Sequence, residues 1–373
     1  MVDCNQSPGH NFYRSDPFAY LLIEKLRFFP LVGGLWSIAI ATGFYLLIAW
    51  VSHTLWSKPG TVGLLQDWVP WIAAVLINPV VVGYYLWSFH AIDRVIQDLK
   101  TSKVVEIEQA DIERVTSTLY HKKWRIFLAL GSAVAFSVVV FVTQPSLKKS
   151  WTGSGFLPNL GITAATFIVV YMGSMLVLNL ITNIRILHGI LRRKRLNVNP
   201  LHPDRCGGLR PLSHYSLKTA YLIAIIGIWV GVIGYQTITQ GNSQNYWFAG
   251  LIFLLYISLS IACFFGPLVT AHKGMEQAKE VLLHEIAQQF QADYTQIRNS
   301  LTEEAEPLKK RTEKIRELRA VYTLTDEFPI WPFDTQTFRR YLLTAPTPLI
   351  APLLGLLQKI LSALLKHWGI SLG

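Results

Sequence analysis

Six long apolar runs limit this chain to very few folds. A helix needs about 20 mainly apolar residues to cross the roughly 30 Å hydrocarbon core of a bilayer. Only 15% of the residues are charged, against about a quarter in soluble proteins. The sequence therefore predicts an all-α integral membrane protein and excludes a soluble enzyme fold. The predicted transmembrane helices occupy residues 31–56, 69–90, 126–143, 157–183, 219–238 and 246–271.

The positions of Lys and Arg predict the orientation, because loops rich in these residues stay on the cytoplasmic side. Segments 1–30, 91–125 and 184–218 together hold eighteen Lys and Arg residues, whereas the three loops that alternate with them hold three. We therefore expect a cytoplasmic N-terminus and six spans that form a domain over 31–271.

A net charge of +11 raises the question of nucleic-acid binding. The tail 272–345 holds eleven basic and twelve acidic residues, so it lacks the basic stripe that neutralising phosphates requires. The positive charge lies instead in the loop 184–218, beside the membrane. This distribution predicts membrane lipids with anionic headgroups as partners at the cytoplasmic face, and no nucleic acid.

The chain on either side of the spans also has a pattern. Segment 1–30 precedes the first span, and its residues 17–30 place aromatic and aliphatic side chains beside Glu24, Lys25 and Arg27, as an interfacial helix does. A frayed extension of the first span is the alternative. Residues 341–373 are apolar but contain several prolines, which favours a re-entrant or interfacial helix over a seventh span.

Residues 272–325 are charged and periodic, which predicts a cytoplasmic helical domain over 272–340, built as a hairpin or a broken stalk. One face of its first helix is apolar at steps of three or four residues. We expect that face to be buried against the second tail helix or a neighbouring subunit. Its members include Leu282, Ile286, Phe290, Tyr294 and Ile297.

A dense motif, PLHPDRCGGLRPLSH, precedes the fifth span at residues 200–214. Imidazole, thiolate and carboxylate groups together would suit zinc, but no paired ligand spacing is present. Its glycines and prolines favour a tight turn in which Asp204 accepts from a backbone donor, without metal. A binding role of another kind is left open. The residues concerned are His202, Asp204, Cys206, Gly207, Gly208 and His214.

A second motif, PIWPFDTQTFRRYL, covers residues 329–342. Asp334 is a suitable N-cap for a helix over 335–343. Trp331 and Phe333 precede this cap, where apolar side chains dock a helix start onto its neighbours. The motif predicts a corner that docks the tail on the membrane domain, with Arg339 and Arg340 directed to lipid headgroups.

These two motifs and the stretch GPLVTAHKGMEQAKEVLLHEI at 266–286 resemble a group of bacterial polytopic membrane proteins of uncharacterised function. That group combines an HPDRCGGL-type turn, an AHxxM helix start and a WPFD segment. The resemblance covers roughly residues 170–365 and implies the topology above and a bacterial inner-membrane location. It implies no activity.

Polar residues within the spans bear on function. No Asp, Glu or Lys lies well inside a span, which argues against a proton pump or symporter, since these place such groups at mid-membrane. Asn179, Asn183 and Arg185 lie on or near one helical face that ends in the basic loop, and each amide alone is more typical of helix packing. Together they are candidates to line a pore.

The sequence thus favours an oligomeric channel or channel-like pore, homo-oligomeric and with a preference for anions. The first alternative is a non-conducting scaffold or signalling protein whose helical tail binds a partner, and the second is a lipid-handling membrane enzyme. No nucleophile elbow, phosphate-binding glycine loop or His-Glu-x-x-His helix is present. We therefore predict no catalytic residue, no metal and no cofactor.

Overall fold

A computed structural model describes residues 12–102, 104–105, 123–144, 150–193, 204, 206–239, 246–299, 305–333, 335–350, 354–355 and 357. Within these ranges the regular elements are all helices, and no β-strand occurs. The predicted all-α class is therefore confirmed.

Six helices are long and apolar enough to cross a membrane, as predicted. A short helix, α1 (Pro17–Tyr20), precedes them. The six are α2 (Pro30–Val51), α3 (Trp68–Thr101), α4 (Trp124–Thr143), α5 (Phe156–Arg193), α6 (Arg210–Thr239) and α7 (Tyr246–Asn299). We call α2 to α6 together with residues 246–271 of α7 the membrane unit, and the side on which α7 continues beyond it the tail side.

The helices do not end where the apolar runs end. Helix α2 stops at Val51, before the predicted end of the span at residue 56, because His53 takes a positive φ of 54°, which a right-handed helix does not allow. Helix α5 continues past its apolar run to Arg193. Charged residues are good helix formers in water, so a helix outlasts its apolar section.

Helices α3 and α5 lie at the centre of the membrane unit. Helix α3 packs against α2, α5 and α6, and α5 packs against α2, α3, α4 and α7. Helices α2 and α4 are peripheral and carry many exposed apolar side chains, which is the surface that lipid would cover. The centre contains the fully buried side chains Tyr85, Leu86, Met175 and Leu176.

A close crossing joins α2 to α3 and depends on glycine. A Cβ added at Gly34 would lie 2.9 Å from the Pro79 carbonyl oxygen, so a larger residue there would push the helices apart. Pro79 itself follows a π-helical turn at Ala73–Ile77 within α3, and its ring cannot sit against a regular preceding turn.

Beyond the membrane unit, the part of α7 from 272 to 299 packs against α8 (Ala305–Asp326). We call these two segments the tail pair. Lys314 Nζ lies 2.8 Å from Asp293 Oδ2, and Lys279 Nζ lies 3.4 Å from Asp326 Oδ1. These contacts pair early residues of one helix with late residues of the other, so the two helices are antiparallel.

Helix α9 (Thr335–Thr344) follows the tail pair and returns the chain to the membrane unit. The Tyr341 ring stacks on Phe264 of α7 with centroids 3.8 Å apart. Tyr256 Oη of α7 donates to the Ala345 carbonyl at 2.9 Å. Residues 341–345 therefore pack along the apolar section of α7.

Candidate functional site

A carboxylate from the N-terminal segment lies buried between two helices of the membrane unit. Asp16 is fully buried. Its Oδ1 accepts from Tyr171 Oη of α5 at 2.9 Å, and its Oδ2 accepts from Tyr85 Oη of α3. The backbone N–H of Phe18 also donates to Oδ1 at 3.0 Å. Both oxygens are thus hydrogen-bonded, as the burial of a carboxylate requires.

Local sequence explains how this segment docks. Asp16 is the N-cap of α1 and Pro17 is its first residue, a combination that starts a helix in a fixed direction. Ala19 is fully buried, and the Phe18 ring lies edge-on to Tyr171 with centroids 6.2 Å apart. The segment predicted to lie at the interface therefore carries one buried acidic residue into the packing.

The outer face of this docked segment carries an open depression of about 370 Å³, lined by Arg14, Pro17, Tyr20 and Glu24. Arg14 Nε and Nη2 each donate to the Glu24 carboxylate at 3.1 Å. The hydrogen bond to Glu24 raises the pKa of the Arg14 guanidinium. Because the ion pair is exposed, it stabilises the segment little.

A second buried cluster centres on Arg125, near the start of α4. Its side chain is 2% exposed, and Nη2 donates to Asn179 Oδ1 of α5. Asn179 Nδ2 in turn donates to Ser88 Oγ of α3 at 2.8 Å. Asn183, one turn further along α5, donates to the Ser88 carbonyl at 3.3 Å and to Tyr215 Oη of α6 at 3.2 Å. The cluster joins four helices.

Helix α3 connects the two clusters. Ser88 Oγ donates to the Tyr85 carbonyl at 2.8 Å, and the Tyr85 hydroxyl binds Asp16. We call the whole set Asp16, Tyr85, Ser88, Arg125, Tyr171, Asn179, Asn183 and Tyr215 the polar network. Within the residues that the structure describes, it holds the acidic side chain of Asp16 and the basic side chain of Arg125, and its members fix the relative positions of α3 to α6 and the N-terminal segment.

The structure separates the three predicted pore-lining residues. Asn179 and Asn183 are fully buried and hydrogen-bond to neighbouring helices. Arg185 is exposed at the tail side of α5. The hydrogen bonds of Asn179 and Asn183 are typical of helix packing. A pore-lining role for the three residues stays a prediction.

The tight turn predicted near residue 204 is present. Asp204 Oδ1 accepts from the backbone N–H groups of Cys206 at 2.9 Å and Gly208 at 3.0 Å, and Oδ2 accepts from that of Arg210 at 3.3 Å. Gly207 and Gly208 have positive φ values of 64° and 88°, which glycine adopts without strain. The turn therefore starts α6.

The candidate metal ligands of the motif at 200–214 do not form a metal site in the described residues. Cys206 is buried and His214 is exposed on α6, while His202 lies outside the described residues. In the part of the chain that the structure covers, no three His, Cys, Asp or Glu side chains are close enough to hold a metal ion.

The predicted docking corner contacts α7 where that helix leaves the membrane unit. The Trp331 ring stacks on His272, with centroids 4.0 Å apart, and His272 Nδ1–H donates to the Ile330 carbonyl at 2.8 Å. The Phe333 ring lies 6.1 Å from Phe264. Asp334 lies outside the described residues, but α9 begins directly after it, as predicted.

Lys279 adds a polar contact to this corner. Its Nζ donates to the carbonyls of Asp326 and Phe328, the latter at 3.5 Å. We call residues 326–333 with His272 and Lys279 the clamp, because they tie the end of α8 to α7.

The apolar stripe of the tail is buried only in part. Ile286 is 9% exposed and Leu282 and Phe290 are half-buried, whereas Tyr294 is 50% exposed. Ile297, near the far end of the tail pair, is half-buried like Leu282, so the coverage of the stripe does not fall steadily with distance from the membrane unit.

Two members of the polar network are not evident from the sequence. Asp16 precedes every span, and Arg125 stands at the end of a charged segment just after Lys122 and Lys123, so both look like surface charges. A signal was present only for Asp16, whose position before proline predicts a helix cap.

No family model, curated protein or solved structure matches this chain. The resemblance to uncharacterised bacterial membrane proteins consequently stays a prediction.

Proposed function

We propose that the protein is a multi-pass membrane scaffold or signalling protein whose tail pair binds a partner in the cytoplasm. One observation carries this proposal. The clamp ties α8 to the tail part of α7 through Lys279 and the stack of Trp331 on His272, and α7 is continuous with the membrane unit.

A tail that transmits a signal must move together with the membrane unit, so a rigid attachment between the two suits this function. Helix α7 has 54 residues, so at 1.5 Å per residue it is about 80 Å long. A shift of α7 within the membrane would move the tail pair as one body, because the clamp prevents α8 from swinging independently. His188 Nδ1 of α5 lies 2.7 Å from Thr270 Oγ1 of α7. This contact joins α5, which carries part of the polar network, to α7 just before the tail pair begins.

The surface of the tail pair supports a protein partner. Val281, Val321 and Leu324 are about half exposed, and all three lie in the half of the tail pair nearest the membrane unit. Apolar side chains of this kind among charged neighbours suit an amphipathic helix or similar segment of a partner. The cytoplasmic location and the bacterial inner membrane belong to this proposal, and the asymmetry of Lys and Arg between loops supports them.

Photo-crosslinking tests the partner. A photoreactive residue at Val281 or Val321 should give the same discrete protein adduct in cells, since both lie on one tail pair. The matched control is Val138 of α4, which is 55% exposed on the membrane unit and should give no such adduct. Absence of an adduct at both tail positions would contradict the proposal, as would chloride flux in vesicles that contain the purified protein.

An oligomeric, anion-preferring channel is the second candidate function. It is supported by Arg185, Arg210 and Lys218, which are exposed near the tail-side ends of α5 and α6. Rings of basic residues select anions when several subunits surround a pore. Bilayer recording in a chloride gradient tests this candidate: an anion-selective current that is lost when Arg185 and Arg210 become Glu would support it, and no current would favour the scaffold.

A further inference from the structure

Helix α9 has one face that no described part of the chain covers. Four of its exposed side chains are Arg339, Arg340, Leu342 and Leu343, and Leu343 is 66% exposed. Tyr341 points the other way and is buried against Phe264. The uncovered face thus combines two guanidinium groups with two large apolar side chains.

The level of this face follows from contacts with α7. Trp331 stacks on His272, the first ionisable residue after the apolar run of α7, whereas Ala345 accepts from Tyr256. The two contacted residues of α7 are sixteen positions apart, which corresponds to about 24 Å along the helix. Phe333 and Tyr341 both contact Phe264, which lies eight positions, or about 12 Å, along α7 from His272. Helix α9 therefore lies beside the tail-side half of the apolar section of α7, and the two arginines next to Tyr341 are attached within that half.

The residues that follow α9 also lie beside the membrane unit. A Cβ at Gly227 of α6 would lie 2.7 Å from Pro348 Cγ, so residue 348 packs on an apolar helix of the membrane unit. Ile350 and Leu354, which follow, are more than half exposed. Exposed apolar side chains at this position are suited to acyl chains.

We propose that Arg339 and Arg340 bind the phosphate group of an anionic phospholipid at the tail-side boundary of the membrane. Neither arginine forms an ion pair with a residue that the structure describes. A guanidinium binds a phosphate with two parallel hydrogen bonds, and the long arginine side chain extends from within the apolar section towards the headgroup level. Leu342 and Leu343 contact the acyl chains of the same lipid. The site is independent of whether the tail pair binds a protein.

Native mass spectrometry of the full-length protein tests the site. The protein is purified with a mixture of phosphatidylglycerol and phosphatidylcholine, and the retained lipid is counted. We expect wild type to retain phosphatidylglycerol in preference, and R339Q/R340Q to retain roughly tenfold less of it, since basic residues near an anionic surface each add attraction. Both arginines are exposed, so the variant should melt at the same temperature as wild type.

The matched control is K309Q/K310Q, which removes two adjacent exposed lysines from α8. It should leave retained phosphatidylglycerol unchanged, because these lysines lie on the tail pair at the end far from the membrane unit. R339K/R340K should retain an intermediate amount, because lysine keeps the charge and loses the paired hydrogen bonds. Equal retention by R339Q/R340Q and wild type, or equal loss in the control, would overturn the proposal. Displacement of the lipid by excess inorganic phosphate would identify a soluble phosphate site and would also overturn it.

Discussion

In the membrane unit the polar network is buried on all sides, whereas each described ion pair of the tail pair has one partner that is well exposed. Asp16 and Asn179 are fully buried, but the Lys314 side chain that pairs with Asp293 is 57% exposed. A buried donor or acceptor that loses its partner keeps its full desolvation cost, while an exposed ion pair is replaced by water. The same kind of bond should therefore differ severalfold in its effect on stability between the two regions.

Asp16→Ala should give the largest effect. It leaves the hydroxyl groups of Tyr85 and Tyr171 buried without their acceptor, which we expect to lower the free energy of unfolding by about 2–5 kcal/mol. Equilibrium unfolding in detergent measures this loss. Asp16→Asn keeps one acceptor oxygen and should lose less, and Glu24→Ala, which breaks the exposed pair with Arg14, should change stability by under about 1 kcal/mol. Similar losses of unfolding free energy for Asp16→Ala and Glu24→Ala would contradict the proposed difference between buried and exposed contacts.

Asn179→Ala should come second. It removes the acceptor of Arg125 and the donor to Ser88 at the centre of the polar network, for an expected loss of about 2–3 kcal/mol. Gln288→Ala is the matched control, because it deletes an exposed carboxamide from the tail pair. A loss below about 0.5 kcal/mol for Asn179→Ala, as found for exposed sites, would mean that the network contributes little to packing.

Lys279→Met tests the intermediate case. The Lys279 side chain is 16% exposed and that of its partner Asp326 is 62% exposed, so the contact is partly sheltered. We expect a loss of about 1 kcal/mol, detected as a lower midpoint of tail unfolding. A loss of stability as large as that of Asp16→Ala would mean that the Lys279 contact contributes as much as a fully buried one.

Lys314→Met should give the smallest effect, about 0.2–1 kcal/mol, because the pair with Asp293 is exposed on the lysine side. Salt should weaken it further, so wild type and variant should converge in stability as salt is raised. Lys309→Met is the control, because it removes an exposed lysine of the same helix that forms no described ion pair. A difference from wild type that persists at high salt would count against a surface contact.

The comparison also explains which features are predictable from sequence. The six spanning helices follow from apolar length, and the start of α9 follows from Asp334 and the aromatic residues before it, because these signals are local. The turn at Asp204 follows from its two glycines for the same reason.

The polar network depends on distant partners and is not predictable in this way. Asp16 meets Tyr85 and Tyr171 across 69 and 155 residues of chain, and Arg125 meets Asn179 across 54. A charge beside a span looks the same in sequence whether it faces water or a neighbouring helix. Amide residues in a span are likewise compatible with a pore or with packing, and only the positions of other helices distinguish the two.

If the tail pair is rigidly attached to the membrane unit, the distance between a label on α5 and a label on α8 is fixed, and double electron–electron resonance measures that distance. Nitroxide labels replace the exposed residues Arg185 of α5 and Arg319 of α8 in the reconstituted protein. We expect one narrow distance distribution, which Trp331→Ala combined with Lys279→Met broadens because both release α8 from α7, and which Lys314→Met leaves unchanged. A broad distribution in the otherwise unaltered protein, or a narrow one that survives loss of the clamp, would contradict the account.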